Sequence, residues 1–164
     1  MRVASALAAL CLSFATAACP AMPTPIATVQ QAAQDLSVDA RFGRMELAIE
    51  KVAPAEREEF AARHRAWGTQ IRIADIELIG TRKKSADEIR VLIHVSWYRP
   101  EENELRQTTI EQIWSNVSGW QLAQEKRSDG DAGLLGESDD RAPPVDAGPP
   151  ARYPTIRLRG TSPE

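Results

Sequence analysis

The run from Ile89 to Tyr98 constrains the fold of this chain more than any other segment. Apolar side chains alternate along it with mostly polar ones. One set comprises Ile89, Val91, Ile93, Val95 and Trp97, and the other comprises Arg90, Leu92, His94, Ser96 and Tyr98. A period of two places each set on its own side of a strand, so one side is buried and the other faces outward. The chain must therefore build a sheet that is covered on one face.

Three further runs share this alternation. They cover residues 71–78, with a phase slip near Ala74 that indicates a β-bulge, residues 105–115, and residues 120–125. Short turns separate the last three strands, and neighbouring strands joined by short turns must be antiparallel. The sequence thus predicts a four-stranded antiparallel meander.

The segment before the strands has helical periodicity. Apolar residues recur at spacings of three and four, at Val38, Phe42, Met45, Ile49 and Val52. Ser37 is a suitable N-cap for this helix, and Pro54 suits the first turn of a second helix that ends at Gly68. The predicted fold class is therefore α+β, with two N-terminal helices packed on one face of the sheet.

The last hairpin carries a resemblance to a known family. Ile113-Trp114 is followed by a short polar turn and then by Gly119-Trp120-Gln121-Leu122. Together with the order of elements, this resembles the nuclear-transport-factor-2-like (NTF2-like, SnoaL-like) cone fold, over about residues 37–127. The resemblance implies a curved sheet and a pocket between the helices and the concave face.

The N-terminus reads as an export signal. Arg2 precedes a mostly apolar stretch that is too short to span a bilayer, and small residues follow it. Thr16-Ala17-Ala18-Cys19 resembles the lipobox of bacterial lipoproteins, which implies a lipid on Cys19. Pro20, in place of the Asp that retains lipoproteins at the inner membrane, implies the outer membrane. The alternative is ordinary cleavage before Ala18, which gives a soluble secreted or periplasmic chain.

Cysteine content and charge narrow the function. Cys11 lies within the signal, so only Cys19 remains after cleavage, and a lone N-terminal cysteine is better explained as a lipid acceptor than as half of a disulfide. No cysteine or histidine cluster predicts a metal site, and no cofactor motif is found. The formal net charge of −3 argues against nucleic acid as a partner.

Composition divides the chain into four segments. We expect a signal peptide over 1–18, a lipidated N-terminus and tether over 19–36, the α+β domain over 37–127, and a tail over 128–164. The tail is rich in proline and glycine, and this composition predicts disorder.

Candidate site residues come from the strands. His94 is a candidate general base if Glu111 orients it, although the same strand face suits a solvated surface. Trp97, Trp114 and Trp120, with Tyr98, are candidates for lining a pocket, and the alternative for the tryptophans is core packing. His64 is interpreted as a helix residue between Phe60 and Trp67, because a chemical role requires a second titratable group facing it.

Two functions of different class follow. The first is a membrane-anchored lipoprotein of the cell envelope, whose small non-catalytic domain binds an envelope protein or a small apolar ligand. The alternative is a small periplasmic SnoaL-like enzyme, an isomerase, hydratase or hydrolase, in which His94 meets a carboxylate at about 3 Å. The sequence contains no linear catalytic signature, which favours the first.

Overall fold

The computed structural model describes residues 23–102 and 104–139. Three helices and one 3₁₀ turn precede four strands. They are α1 (Pro25–Arg41), α2 (Met45–Glu50), the 3₁₀ turn (Pro54–Glu56), α3 (Arg57–Arg63), β1 (Arg72–Lys83), β2 (Glu88–Tyr98), β3 (Arg106–Asn116) and β4 (Trp120–Gly130). Within this described part, no helix is long and apolar enough to cross a membrane.

The four strands form one antiparallel sheet in the order β1-β2-β3-β4. The predicted meander is therefore confirmed, and so is the bulge near Ala74, where the β1–β2 register shifts between Ile73 and Asp75. A second shift in β1 lies between Leu78 and Gly80. Both irregularities fall on an edge strand, where bulges are common.

Helix α1 begins at Pro25, twelve positions before the predicted start at Ser37. Thr24 caps it, because its hydroxyl accepts a hydrogen bond from the amide of Ala27 (3.2 Å), and Pro25 occupies the first turn. Ser37 lies inside the helix, where its hydroxyl donates to the carbonyl of Ala33 (2.8 Å). Residues 25–36, which were expected in the tether, therefore belong to the folded domain.

The predicted helix over 37–52 is interrupted. Gly43 has a φ of 72°, a left-handed conformation that ends α1, and α2 starts two residues later. The spacing of three and four continues across this break, although Val38 and Phe42 are exposed and only the other three residues, Met45, Ile49 and Val52, contact the core. The sequence pattern alone therefore did not reveal the turn.

The C-terminal boundary of the domain also lies beyond its predicted position. Strand β4 reaches Gly130, and residues 131–139 then fold back over the structure. Leu134 and Leu135 are buried, and the indole Nε1 of Trp67 donates to the carbonyl of Leu134 (2.9 Å). The predicted start of the tail at Ser128 is therefore corrected, and residues 140–164 lie outside the described residues.

The core lies between the helices and one face of the sheet. On β2 this face carries the apolar set from Ile89 to Trp97, which is buried, while the alternate set points to the opposite, outer face. From α1 the core receives Val29, Ala33, Leu36 and Ala40. Each large apolar side chain buried there contributes about 1.5–3 kcal/mol. This layer also positions the sites described next.

Candidate functional site

A groove runs between α1 and the edge strand β1. The helix lies antiparallel to the strand: Gln30 Nε2 donates to Thr81 Oγ1 (3.2 Å) at one end, and the guanidinium of Arg41 donates to the carbonyl of Ala74 (2.6 Å) at the other. The space between them has a volume of about 390 Å³. Its residues are Gln31, Ala33, Gln34, Asp35, Ser37, Val38, Arg41, Phe42, Ile76, Leu78 and Ile93.

The groove leaves large apolar side chains in contact with solvent. Phe42 is 66% exposed and Val38 is 45% exposed. The guanidinium groups of Arg41 and Arg44 lie 5.6 and 5.8 Å from the centre of the Phe42 ring. Cation–π contacts at exposed sites contribute about 0.5–1 kcal/mol each. The groove therefore offers an apolar surface next to an exposed aromatic ring.

Asp39 holds the corner between α1 and α2, at the Phe42 end of the groove. Its carboxylate accepts hydrogen bonds from Arg44 Nε and from Lys51 Nζ, both at 3.0 Å. Burial by itself would raise the pKa of Asp39, but the hydrogen bonds and charges of Lys51 and Arg44 outweigh it and lower the pKa below its ordinary value. The corner is thus fixed by two ion pairs.

A second, much smaller cavity lies deeper between the same two layers. Its volume is about 10 Å³, and its lining includes His64, Trp67, Gln112 and Glu125. A space of this size is close to the minimum that holds one water molecule. Polar and apolar side chains of the core thus line this cavity together.

His64 and Glu125 face each other in this cavity. Both side chains are 1% exposed, and His64 Nε2 lies 3.3 Å from Glu125 Oε2. His64 Nδ1 is 2.8 Å from the carbonyl of Phe60, so this nitrogen donates to that oxygen. The imidazole also stacks on the Phe60 ring, with centroids 4.0 Å apart. Both ring nitrogens are therefore directed at protein groups.

A chain of hydrogen bonds continues from Glu125 across the sheet. Gln112 Nε2 donates to Glu125 Oε1 (2.9 Å), and Trp114 Nε1 donates to Gln112 Oε1 (3.0 Å). Glu125 Oε2, by contrast, accepts no hydrogen bond within the described residues. It is within ion-pair distance of His64 Nε2 but lacks hydrogen-bond geometry. Glu125 is thus anchored through one oxygen only.

The sequence did not identify Glu125. Simple alternation from Leu122 places Gln124 on the core side and Glu125 on the outer side. The β3–β4 register shifts where Ile113 pairs with Gln124 and Trp114 pairs with Leu122, so Ala123 is an extra residue. This bulge turns Glu125 into the core. His64 therefore has a titratable partner, which the sequence alone did not supply when His64 was interpreted as a helix residue.

The structure does not bring His94 and Glu111 together as an acid–base pair. Both lie on the outer face of the sheet, where His94 pairs in register with Thr109 and its Nδ1 is 3.5 Å from the Thr109 hydroxyl. Glu111 forms ion pairs with Arg90 (3.3 Å) and Lys126 (3.5 Å). The geometry matches the solvated surface that was the alternative for this face.

The predicted pocket residues are distributed between the core and the outer surface. Trp97 and Trp114 are fully buried, and their indole nitrogens donate to Thr108 Oγ1 (2.8 Å) and to Gln112. Trp120 is partly buried against the same core. Tyr98 is 38% exposed on the outer face. Of these four residues, none lines the groove beside α1, and the two buried tryptophans serve as core packing.

A buried arginine fixes the segment after β4. Arg106 is 3% exposed, forms ion pairs with Glu102 (2.7 Å) and with Asp139, and lies 5.2 Å from the ring centre of Trp97. Burial by itself would lower the pKa of Arg106, but the two carboxylates outweigh it and raise the pKa above its ordinary value. This cluster joins residue 139 to the start of β3 and has a structural role.

The arrangement of potential metal ligands is the last feature of the site. Across residues 23–102 and 104–139, no group of three or more His, Cys, Asp or Glu side chains is placed to hold a metal ion. Cys19, the predicted lipid acceptor, lies outside the described residues.

Comparisons with known proteins bear on the fold alone. No family profile matches the chain, and no curated protein matches it. Among solved structures, the chain is similar to the solution structure of RPA3114, described as a SEC-C motif containing protein from Rhodopseudomonas palustris. The TM-score is 0.51 at 12% sequence identity, over 60% of this chain and 77% of that one.

This comparison contradicts the predicted NTF2-like fold, because the matching structure is a SEC-C motif protein and not an NTF2-like one. The resemblance depended on the order of helices and strands and on one Gly-Trp hairpin. In the structure, that hairpin is an ordinary tight turn, in which the side chain of Asn116 accepts from the amide of Gly119 (3.2 Å). Such a turn is not specific to one fold. The coarser prediction, N-terminal helices on a four-stranded antiparallel sheet, is confirmed.

Proposed function

We propose that this protein is an exported lipoprotein, anchored through Cys19 in the outer membrane, whose non-catalytic domain binds a small apolar molecule in the groove between α1 and β1. The observation that carries the proposal is the groove itself. It combines a volume of about 390 Å³ with the exposed side chains of Val38 and Phe42 and a floor of Ile76, Leu78 and Ile93.

The size of the groove favours a small molecule over a protein. Binding sites for small molecules measure about 300–1,000 Å³ and are lined mainly by apolar side chains with a few polar groups. A stable protein interface buries about 800 Å² on each partner. The groove fits the first description, with Gln31, Gln34 and Asp35 as polar groups at its mouth.

The position of α1 is consistent with a membrane-proximal role. The helix begins six residues after Cys19, so the lipidated end and the domain are separated by at most about 20 Å of extended chain. A domain held at this distance has access to apolar molecules that partition into the bilayer.

The enzyme alternative gains no support from the geometry. A general base needs a proton partner within hydrogen-bond reach and an open path to substrate. Within residues 23–102 and 104–139, His94 forms no ion pair with a carboxylate and its Nδ1 lies 3.5 Å from the Thr109 hydroxyl, and the two nitrogens of His64 are directed at Phe60 and Glu125.

Two measurements test the proposal separately. The anchor is tested by the intact mass of the protein purified from membranes of a Gram-negative host. We expect a chain that begins at Cys19 and carries diacylglyceryl and acyl groups, which Cys19→Ala abolishes. An unmodified chain that begins at Ala18 would refute the anchor.

The groove is tested by calorimetric titration of the mature Cys19→Ala chain with octan-1-ol. We expect saturable binding that Val38→Glu weakens at least tenfold, because the new charge must be desolvated beside the ligand. Val117→Glu is the matched control, since Val117 is 90% exposed on the β3–β4 hairpin and does not line the groove. Equal affinities in the two variants would place binding elsewhere.

A further inference from the structure

The polar cavity is adjacent to the groove. Ser37, Ile76 and Ile93 line both spaces, and these three side chains, of which Ser37 and Ile93 are buried, form the neck that separates the groove from the cavity. His64, Gln112 and Glu125 lie beyond the neck. A molecule in the groove would therefore reach this polar group by moving the side chains of the neck apart.

Glu125 offers a hydrogen-bond acceptor to a head group that enters the cavity. Its Oε1 is occupied by the hydrogen bond from Gln112 Nε2, but Oε2 accepts none within the described residues. The side chain is 1% exposed, so bulk water does not satisfy this oxygen, and His64 Nε2, at 3.3 Å, is within ion-pair distance without a hydrogen bond. Buried polar atoms in folded proteins are almost always paired, and each exception requires an explanation.

The size of the cavity limits what reaches Oε2. About 10 Å³ is room for a group of one heavy atom, comparable to a water molecule. A hydroxyl or an amino group fits this space, whereas a carboxylate or a phosphate has three or more heavy atoms. An anionic group is also disfavoured beside a carboxylate.

We propose that the ligand is an apolar molecule with a single hydroxyl or primary amino head group, which passes the neck at Ser37 and donates a hydrogen bond to Glu125 Oε2. This inference rests on the proposed binding function and specifies the ligand class of the same groove. Glu125 is the specificity-determining residue, and Gln112 orients it.

The test compares probes that share an eight-carbon body and differ in the head group. The mature Cys19→Ala chain is titrated with octylamine, octan-1-ol and octanoate in a calorimeter at neutral pH. We expect octylamine and octan-1-ol to bind about tenfold or more tightly than octanoate, because a site built for a hydrogen-bond donor rejects a ligand that lacks one.

Glu125→Gln identifies the acceptor. Gln112 Nε2 keeps the new amide oxygen at the position of Oε1, so the amide nitrogen, a donor, replaces Oε2. The affinity for octylamine, whose ammonium head only donates, should then fall about tenfold, while the apolar body still binds. Asp35→Asn is the matched control, since it removes a carboxylate from the groove mouth and should leave the preference for octylamine intact.

The outcomes separate this inference from the proposed function. If octylamine and octanoate bind equally to the unaltered groove, and Val38→Glu weakens both, the groove binds apolar molecules but the head-group inference is refuted. If Asp35→Asn, and not Glu125→Gln, removes the preference, attraction at the groove mouth explains it and the inference is again refuted. If no probe binds, the proposed function fails and this inference fails with it. The comparison of octylamine with octanoate on the chain that keeps Glu125 remains a test of this inference even if Glu125→Gln does not fold.

Discussion

At the scale of single residues, one inserted position decides the chemistry of the core. Ala123 is the extra residue in β4, and it rotates Glu125 from the outer face to the face that His64 covers. Without this bulge, the carboxylate would be solvated and His64 would face apolar side chains only. The contact between His64 and Glu125 thus depends on a local backbone irregularity that cannot be recognised from the side chains in the sequence.

Gly130 is a second residue whose backbone conformation is critical. Its φ is 83°, and a Cβ built there would lie 2.3 Å from the carbonyl oxygen of Gln107. A left-handed backbone conformation alone costs a non-glycine residue about 1–2 kcal/mol. We expect Gly130→Ala to lower the free energy of unfolding by more than this, because β3 and β4 must also separate locally to make room for the methyl group. Urea denaturation followed by circular dichroism measures the loss.

Gly43→Ala provides the control for this prediction. Gly43 has a φ of 72°, but nothing lies within 4 Å of the position that a Cβ would occupy there. Its substitution should therefore cost only the backbone strain. Equal losses for the two variants would show that the close approach to Gln107 has no energetic effect.

At the scale of elements, the shape of the groove depends on how α1 and α2 are joined. The turn at Gly43 brings Arg44 and Lys51 to opposite oxygens of Asp39, and this arrangement fixes the α1 end that carries Phe42. The groove is therefore defined by an ion-pair corner as well as by apolar packing. Such a corner makes part of the stability of the domain dependent on pH.

The lowered pKa of Asp39 sets the sign of that dependence. A carboxylate whose folded-state pKa is depressed stabilises the fold above its unfolded pKa of about 3.9, and this contribution is lost as pH falls through the lower folded value. Asp39→Asn should therefore cost about 2 kcal/mol at pH 7, where it removes two charge-assisted hydrogen bonds, and progressively less below pH ~4.

Denaturation curves at a series of pH values between 7 and 2.5 measure this difference. Gln70→Asn, an exposed neutral substitution, is the control whose effect should not change with pH. A cost of Asp39→Asn that stays constant over the whole range would contradict the role assigned to the ion pairs.

At the scale of the whole molecule, the domain is closed by a segment that follows the last strand. Residues 131–139 cover Trp67 and Trp97, and Leu134 is fully buried in the core. Arg106 and Arg99 then hold Asp139 against the start of β3. The folded unit is thus larger than the sheet and helices alone.

Leu134→Ala tests this closure. Leu134 is fully buried, so its truncation should lower the free energy of unfolding by about 2–5 kcal/mol through lost burial and the remaining cavity. Thermal unfolding of Leu134→Ala is compared with that of Leu105→Ala, because Leu105 is 59% exposed. Similar melting temperatures for the two variants would mean that residues 131–139 do not contribute to the core.

The sequence by itself determined the sheet. Strict alternation from Ile89 to Trp97 and short turns between strands leave few options other than an antiparallel meander with one covered face, because side-chain direction in a strand follows from position along the chain. It also predicted His94 on the opposite strand face. The meander and the strand face of His94 both follow from residues that are close together in the sequence.

Only the tertiary structure decided the limits of the domain and the contents of its sites. The start of α1 at Pro25 was hidden because the buried face of residues 25–36 includes the small Ala33 between Val29 and Leu36, and alanine carries little hydrophobic signal. The pairing of His64 with Glu125 requires a bulge in β4, and it joins two residues that lie 61 positions apart in the sequence. The groove exists because α1 packs along β1, and no local pattern encodes the space left between two elements that meet only in the folded chain.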